Sequence, residues 1–201
     1  MASHPVVIIG GGPVGMVLAM NLAHLGVRSA IVNTDPSSRW QPKGNTHNAR
    51  TMEHYRRLGI AKKLRTVGLP ADHPTDVAYF TTLNGWEVAR HPLPSEQEKM
   101  ARLAAAAPTD QVPEPLYRAN QMYVEAELFR HIKTRPQIDA RYGWRCIAIT
   151  EQGDGAFRIT IEEVTSGRRE ELASTYLVGC DGGHSIVRRW LGIGYQGERP
   201  S

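Results

Sequence analysis

Gly10, Gly12 and Gly15 stand in the pattern GxGxxG, with Pro13 and Val14 inside it and Ala19 four residues beyond its end. Glycines at that spacing suit one kind of chemistry. The first permits a tight turn, and the second lets backbone amides approach a diphosphate with no Cβ in the way. The third, with Ala19, lets the following helix lie close to its strands. The helix N-terminus then offers free N–H groups and the positive end of its dipole to the phosphates. Each dipole contact contributes only about 0.3–1 kcal/mol at an exposed site, so shape and several N–H bonds must carry the affinity. The competing reading is a glycine-rich turn without a ligand, and context decides between them.

That context is a β-α-β unit over residues 5–35. Val6-Val7-Ile8-Ile9 is a β-branched run, as expected of a strand buried on both faces of a parallel sheet. From Pro13 to Leu25, Val14, Val17, Leu18, Leu22 and Leu25 recur at helical spacing, and Gly26 marks the helix end. Residues 27–32 read as the second strand. A dinucleotide fingerprint wants an acid about 20 residues after the glycines, accepting from ribose hydroxyls. Here Ile31-Val32 is followed by Asn33, with Asp35 and Arg39 beyond. Asn33 can still accept through its amide oxygen, but it lacks the charge that repels a 2′-phosphate.

The middle of the chain is mixed. Residues 37–48 form a polar loop, and Asn48 can cap a helix running to about Leu58 that Gly59 closes. A short helix follows over 60–67. Residues 77–82 and 86–91, joined around Asn84-Gly85, predict a β-hairpin. Ser95 and Glu98 are spaced as a capping box ahead of a helix over 96–107, and Asn120 can start another to about Lys133. The last third reads as a meander. Strands at 144–150 and 157–164 flank a Gly153-Asp154-Gly155 turn, and a strand at 171–178 runs into Gly179-Cys180-Asp181-Gly182-Gly183.

Composition excludes other classes. The 201 residues are 41% hydrophobic and 22% charged, an ordinary globular balance that argues against disorder and fibrous folds. The net charge of +4 is scattered among acids with no aromatic stripe, so no nucleic-acid partner is expected. No apolar run is long enough to span a membrane, and the opening residues lack the basic start of a signal peptide. Cys146 and Cys180 form neither a CxxC pair nor a disulfide framework, which points to the reducing cytoplasm. His47, His54 and His184 have no metal-binding spacing, so no metal site is expected. Ser185 lies beside His184, but there is no GxSxG elbow, and no residue offers itself as a catalytic base.

Three segments together resemble the FAD-dependent aromatic-ring hydroxylases of the p-hydroxybenzoate hydroxylase type, most closely the phenol and chlorophenol hydroxylase branch. They are the glycine loop, the stretch from Pro42 through Arg50 to Glu53 before Tyr55-Arg56-Arg57-Leu58-Gly59-Ile60, and the stretch from Tyr176 through Asp181-Gly182 to Arg189. The last is similar to the family's DG motif. The resemblance covers nearly the whole chain. It implies a Rossmann-like α/β FAD-binding domain over residues 1–201 with a parallel sheet and a β-meander, its DG motif at 179–189. An insertion toward the substrate domain is expected at 77–107.

By that resemblance Gly10, Gly12, Pro13, Val14 and Gly15 belong to the loop around the ADP part of FAD, and Asn33 takes the place of the ribose-binding acid. Arg50 matches the arginine facing the FAD diphosphate, a role that suits a permanently charged bidentate fork. Gln121 matches a glutamine near the ribityl and phosphate region. Asp181 matches the DG aspartate, which serves FAD and NAD(P)H, with Arg188 in support. Read alone, Arg50 is equally a surface arginine of a first helical turn, and Asp181 a turn cap.

The implied activity is hydroxylation of a small phenolic ring, with FAD as cofactor, NAD(P)H as reductant and O2 as the oxygen source. The family's later Gly-Asp-Ala-type flavin motif is missing, since the one Gly-Asp is Gly153-Asp154 in a polar turn. The expectation is therefore a chain truncated before most of the substrate domain and inactive alone. Two other readings stay open: another flavoprotein of the superfamily (an epoxidase, halogenase or reductase), or a non-catalytic module that binds FAD or NAD(P).

Overall fold

A computed structural model describes residues 2–41, 43–106, 113–153 and 155–197. Pro42 of the second motif, Ala107 at the expected helix end, Asp154 of the expected turn and the last four residues lie outside them. The elements in chain order are β1 (Ala2–Ile9), α1 (Pro13–His24), β2 (Ser29–Asn33), β3 (Thr46–His47), α2 (Ala49–Arg57), α3 (Ala61–Leu64), β4 (Val77–Phe80), β5 (Glu87–His91), α4 (Glu96–Ala105), β6 (Tyr117–Arg118), α5 (Gln121–Lys133), β7 (Ile138–Tyr142), β8 (Trp144–Glu151), β9 (Phe157–Glu163), β10 (Arg169–Gly179), a 3-10 turn (Gly182–His184) and α6 (Ile186–Trp190). They divide into two compact units, one up to Trp40 and again from Glu125 onward, the other from Gln41 to Val124.

The first unit holds a six-stranded sheet in the order β7-β2-β1-β10-β9-β8. Its β7–β2, β2–β1 and β1–β10 pairs are parallel. The β10–β9 and β9–β8 pairs are antiparallel, which makes the expected meander. β1 is central because its neighbours on both sides are parallel strands, and Val7 and Ile8 are fully buried there. Alternation along β1 and β2 sends Val7, Ile9, Ala30 and Val32 to one face, where they pack with Trp144, Ile159, Ile161, Leu172 and Val187.

Helix α1 packs against β1, β2 and β7, but not through the expected stripe. Its buried residues are Gly15, Met16, Ala19, Met20 and Ala23, while Val14 and Leu25 are 70% and 73% exposed. The reason is closeness. A Cβ on Gly15 would fall 2.0 Å from the Gly10 carbonyl oxygen, so the face against the sheet admits small and unbranched side chains. The helix ends in a Schellman motif. Gly26, at φ +76°, donates to Ala23 O, and Val27 N–H donates to Leu22 O at 2.8 Å. That turn takes up Val27, so β2 begins at Ser29 rather than at 27.

In the second unit, Asn48 Oδ1 caps α2 by accepting from Thr51 N–H at 2.9 Å. Gly59, at φ +76°, closes the helix as expected. Ser95 and Glu98 form the capping box of α4. Met52, Tyr55, Leu58, Ile60, Leu64 and Tyr117 are buried. Largely buried, the Arg65 guanidinium bonds Glu96, Glu114 Oε2 (2.7 Å) and Pro115 O (2.9 Å). The β4–β5 hairpin forms a two-stranded sheet of its own and leaves Tyr79, Phe80, Trp86 and Val88 exposed.

Candidate functional site

Because β7, β2, β1 and β10 run parallel, their carboxyl ends gather along one edge of the sheet. The chain leaves β1 toward β2 on one side, and β10 flanks it on the other. That reversal is the position where open α/β sheets bind ligands. Here the Gly10–Gly15 turn, Asn33, Tyr142 and the Cys180-Asp181 segment all follow or end those strands.

The backbone ties them together. Gly10 N–H donates to Val32 O at 2.8 Å, and Cys180 N–H donates to Ile9 O at 2.6 Å. Gly10, at φ +108°, lies so near the second segment that a Cβ would fall 2.3 Å from the Cys180 carbonyl carbon. The glycines at 10, 11 and 15 are thus accounted for by protein contacts. Gly12 is different. It is the N-cap of α1, at φ −74° and ψ −175°, a conformation open to any residue, and a Cβ there would meet nothing within 4 Å. Helix α1 starts with Pro13, carries no side-chain cap and has no acid in its first turn. Its first amides therefore point outward with no helical acceptor.

Asn33 ends β2, where its side chain turns onto the glycine loop. Its Oδ1 accepts from Gly11 N–H at 3.0 Å and its Nδ2 donates to Asp35 O at 3.2 Å. Arg39 Nε is paired with Asp35 Oδ2 at 2.8 Å. Tyr142 completes the edge by donating to Gly11 O at 2.7 Å. Sequence reasoning missed β7 and hence Tyr142. The signal was the alternation Ile138, Ala140, Tyr142, obscured by the charges of Asp139 and Arg141 between them.

Across the edge, Gly179 lies against Val187, where a Cβ would fall 2.9 Å from the valine Cβ, and this sets α6 close to the end of β10. Ser185 Oγ caps α6 by accepting from Arg188 N–H at 3.0 Å, and Asp181 Oδ2 accepts from Ile186 N–H at 2.7 Å. The other oxygen, Asp181 Oδ1, and Arg188 Nε and Nη1 are buried atoms without a hydrogen-bond partner. The Arg188 guanidinium stacks 3.8 Å from the Tyr195 ring centroid. Burial first, then the Asp181 carboxylate, pushes the Cys146 thiol up to about 12 and raises Cys180 as well. Both cysteines are free thiols that stay protonated at neutral pH, so neither is poised as a nucleophile.

Two sequence-predicted residues stand in the second unit. Arg50 is in the first turn of α2, its side chain 78% exposed and bonded to Glu53 at 2.6 Å. Gln121 opens α5, its N–H donating to Gly44 O at 2.9 Å. Among the described residues no group of three His, Cys, Asp or Glu side chains could hold a metal ion. No helix among them is long and apolar enough to cross a membrane.

The fit of these features to a dinucleotide is matched by comparison with known proteins. The family model described as "FAD binding domain" matches residues 3–201. The chain belongs to this FAD binding domain family. It is 34% identical over 195 residues to the FAD-dependent monooxygenase apdD of Emericella nidulans, covering 96% of this chain and 31% of the relative. It is 30% identical over 192 residues to a 3-(3-hydroxy-phenyl)propionate/3-hydroxycinnamic acid hydroxylase of Mycobacterium sp., covering 96% of this chain and 30% of that one. Among solved structures, the rebeccamycin biosynthetic enzyme RebC with reduced flavin superposes with a TM-score of 0.82 at 34% identity, over 99% of this chain and 36% of RebC. The chain thus spans about a third of the length of the relatives it matches. The α/β fold with its largely parallel sheet is the FAD-binding domain that the glycine loop and DG motif implied.

Proposed function

We propose that this chain is the FAD-binding part of a flavoprotein monooxygenase that hydroxylates a small phenolic ring, with NAD(P)H as reductant and O2 as oxygen donor. The observation that carries the reading is Gly12. At the helix start beside the ends of β1 and β10, it alone in the loop lacks a side chain for no reason internal to the protein. A diphosphate is a sufficient reason.

FAD, when bound, supplies the redox and oxygen-transfer chemistry, and the protein supplies binding, orientation and exclusion of water. Gly10 and Gly15 shape the loop, and Gly12, Pro13 and Val14 face the diphosphate. Asp181 Oδ1 and Arg188 Nε and Nη1, buried without hydrogen-bond partners, are suited to polar groups of the cofactor. Arg50 and Gln121 are assigned to FAD by family resemblance. The relatives' printed names support the reaction class and an aromatic substrate. The exposed apolar side chains of the β4–β5 hairpin support the assignment of 77–107 as a segment directed to a substrate domain. Free Cys146 and Cys180 suit a reducing cytoplasm.

The test is direct. The purified chain is titrated with FAD and followed by flavin fluorescence, alongside Gly12→Ala. Saturable binding that the variant loses is expected, and native protein that takes up no FAD refutes the reading. NAD(P)H consumption stimulated by a phenol, measured on the protein that carries this chain, tests the reaction.

A further inference from the structure

Gly11 occupies a position the GxGxxG pattern leaves free, yet its peptide is held from both ends. Its N–H donates to Asn33 Oδ1 at 3.0 Å, and its carbonyl accepts from the Tyr142 hydroxyl at 2.7 Å. Asn33 and Tyr142 are register partners at the ends of β2 and β7, so the two groups arrive together from adjacent strands. A Cβ on Gly11 would fall 2.5 Å from the Tyr142 hydroxyl oxygen and 2.7 Å from Asn33 Cβ. The missing side chain at 11 is what admits both.

The clamp is itself braced. The Tyr142 ring meets Phe129 edge-on, with centroids 4.6 Å apart, and the amide nitrogen of Asn33 donates to Asp35 O. Burial, with the carboxylates of Glu125 and Asp35 adding to it, pushes the Tyr142 hydroxyl well above its ordinary range, so it is a protonated donor at every physiological pH. Ordering a loop on binding costs conformational entropy, and a loop ordered beforehand avoids that cost.

We propose that Asn33 and Tyr142 are positioning residues that pin the Gly11 peptide and so aim the amides of Gly12 and the first turn of α1 at a diphosphate before it arrives. The inference rests on the FAD reading above. It gives Asn33 a role in fastening the loop, where the fingerprint would put an acid on the ribose.

The test uses the 15N-labelled chain. Amide exchange at Gly11 and Gly12 is measured without FAD, and FAD affinity by fluorescence titration, for the native chain and for Tyr142→Phe, Asn33→Ala and Asn33→Asp. Tyr142→Phe and Asn33→Ala are expected to speed Gly11 exchange and weaken FAD binding about five- to tenfold, the scale of one net hydrogen bond. Asn33→Asp keeps the acceptor and is expected to restore Gly11 protection. Unchanged exchange in Tyr142→Phe and Asn33→Ala overturns the clamp. Faster exchange with unchanged FAD affinity overturns its positioning role. Native protein that binds no FAD overturns the proposed function, and the exchange measurement then judges the clamp by itself.

Discussion

Gly10 and Cys180 meet backbone to backbone: a methyl group on Gly10 would lie 2.3 Å from the Cys180 carbonyl carbon and its oxygen. This contact joins the glycine loop to the DG segment, two motifs about 170 residues apart in the chain. It also separates two kinds of glycine. Some are required by protein contacts, and Gly12, where a Cβ would meet nothing within 4 Å, is not; it is the one proposed to face the diphosphate.

The separation is measurable. Gly15→Ala drives a Cβ to 2.0 Å from the Gly10 carbonyl oxygen and is expected to cost about 1–3 kcal/mol of stability, as overpacking does. Gly12→Ala meets nothing and keeps an ordinary φ of −74°, so it should cost only the modest loss of a poorer N-cap, about 1 kcal/mol or less. Its FAD affinity is expected to fall at least about 100-fold, ~2.7 kcal/mol. Paired urea melts and FAD titrations check both; a reversed pattern refutes the division.

Arg188 is expected to matter through charge and planarity together. Its Nε and Nη1 lack partners, and its flat face rests on Tyr195. Arg188→Lys keeps the charge but neither the fork nor the stacking, so it should weaken FAD binding nearly as much as Arg188→Ala, by about tenfold or more. Recovery of native affinity by lysine in a FAD titration shows that charge alone suffices.

The second unit should be sensitive to Arg65. Its guanidinium lies between Glu96 and Glu114, all three about nine-tenths buried, with the Tyr117 ring centroid 5.5 Å away. Arg65→Met leaves those carboxylates short of a cation and is expected to cost about 3–5 kcal/mol. A urea melt checks it, and a loss below 1 kcal/mol contradicts the role.

Stability should fall on mild acidification. Burial holds His47 below its ordinary pKa, opposed by a hydrogen bond to the Ala119 backbone, and burial also lowers His4 despite the pull of Asp139. Each binds its proton more readily unfolded than folded. Their stabilising effect is therefore complete above the unfolded value of about 6.5 and is lost as pH drops below it. Thermal melts from pH 7.5 to 5.5 should show declining midpoints, with a shallower slope in His47→Gln. An unchanged slope in that variant shows that His47 is not one of the responsible groups.

Much of the fold, including the strand, turn and helix that frame the candidate site, was legible because local chemistry and global architecture agree there. The β-branched run at 6–9 became the central strand, Asn48, Ser95 and Glu98 became caps, and Gly26 and Gly59 took the left-handed positions that end helices. Reading failed where tertiary closeness reversed a hydrophobicity rule. The α1 face turned to the sheet is the small one, leaving Val14 exposed, because Gly15 sits against Gly10. It failed again at β7, whose Asp139 and Arg141 pair with each other at 2.8 Å instead of marking a loop. The two-residue strands β3 and β6 have no pattern long enough to read. The job of Asn33 was hidden because its donor, Gly11, comes from another strand's end.

The placement of β1 between β2 and β10 has a consequence for synthesis. On the ribosome β1 and β2 emerge early, but the Val6–Ile9 edge that pairs with Tyr176–Gly179 has no partner until those residues are made. At roughly 5–20 residues per second, that leaves an apolar edge bare on the nascent chain for about 10–30 s. Slowing translation through the intervening codons is expected to lengthen that interval and lower the soluble yield.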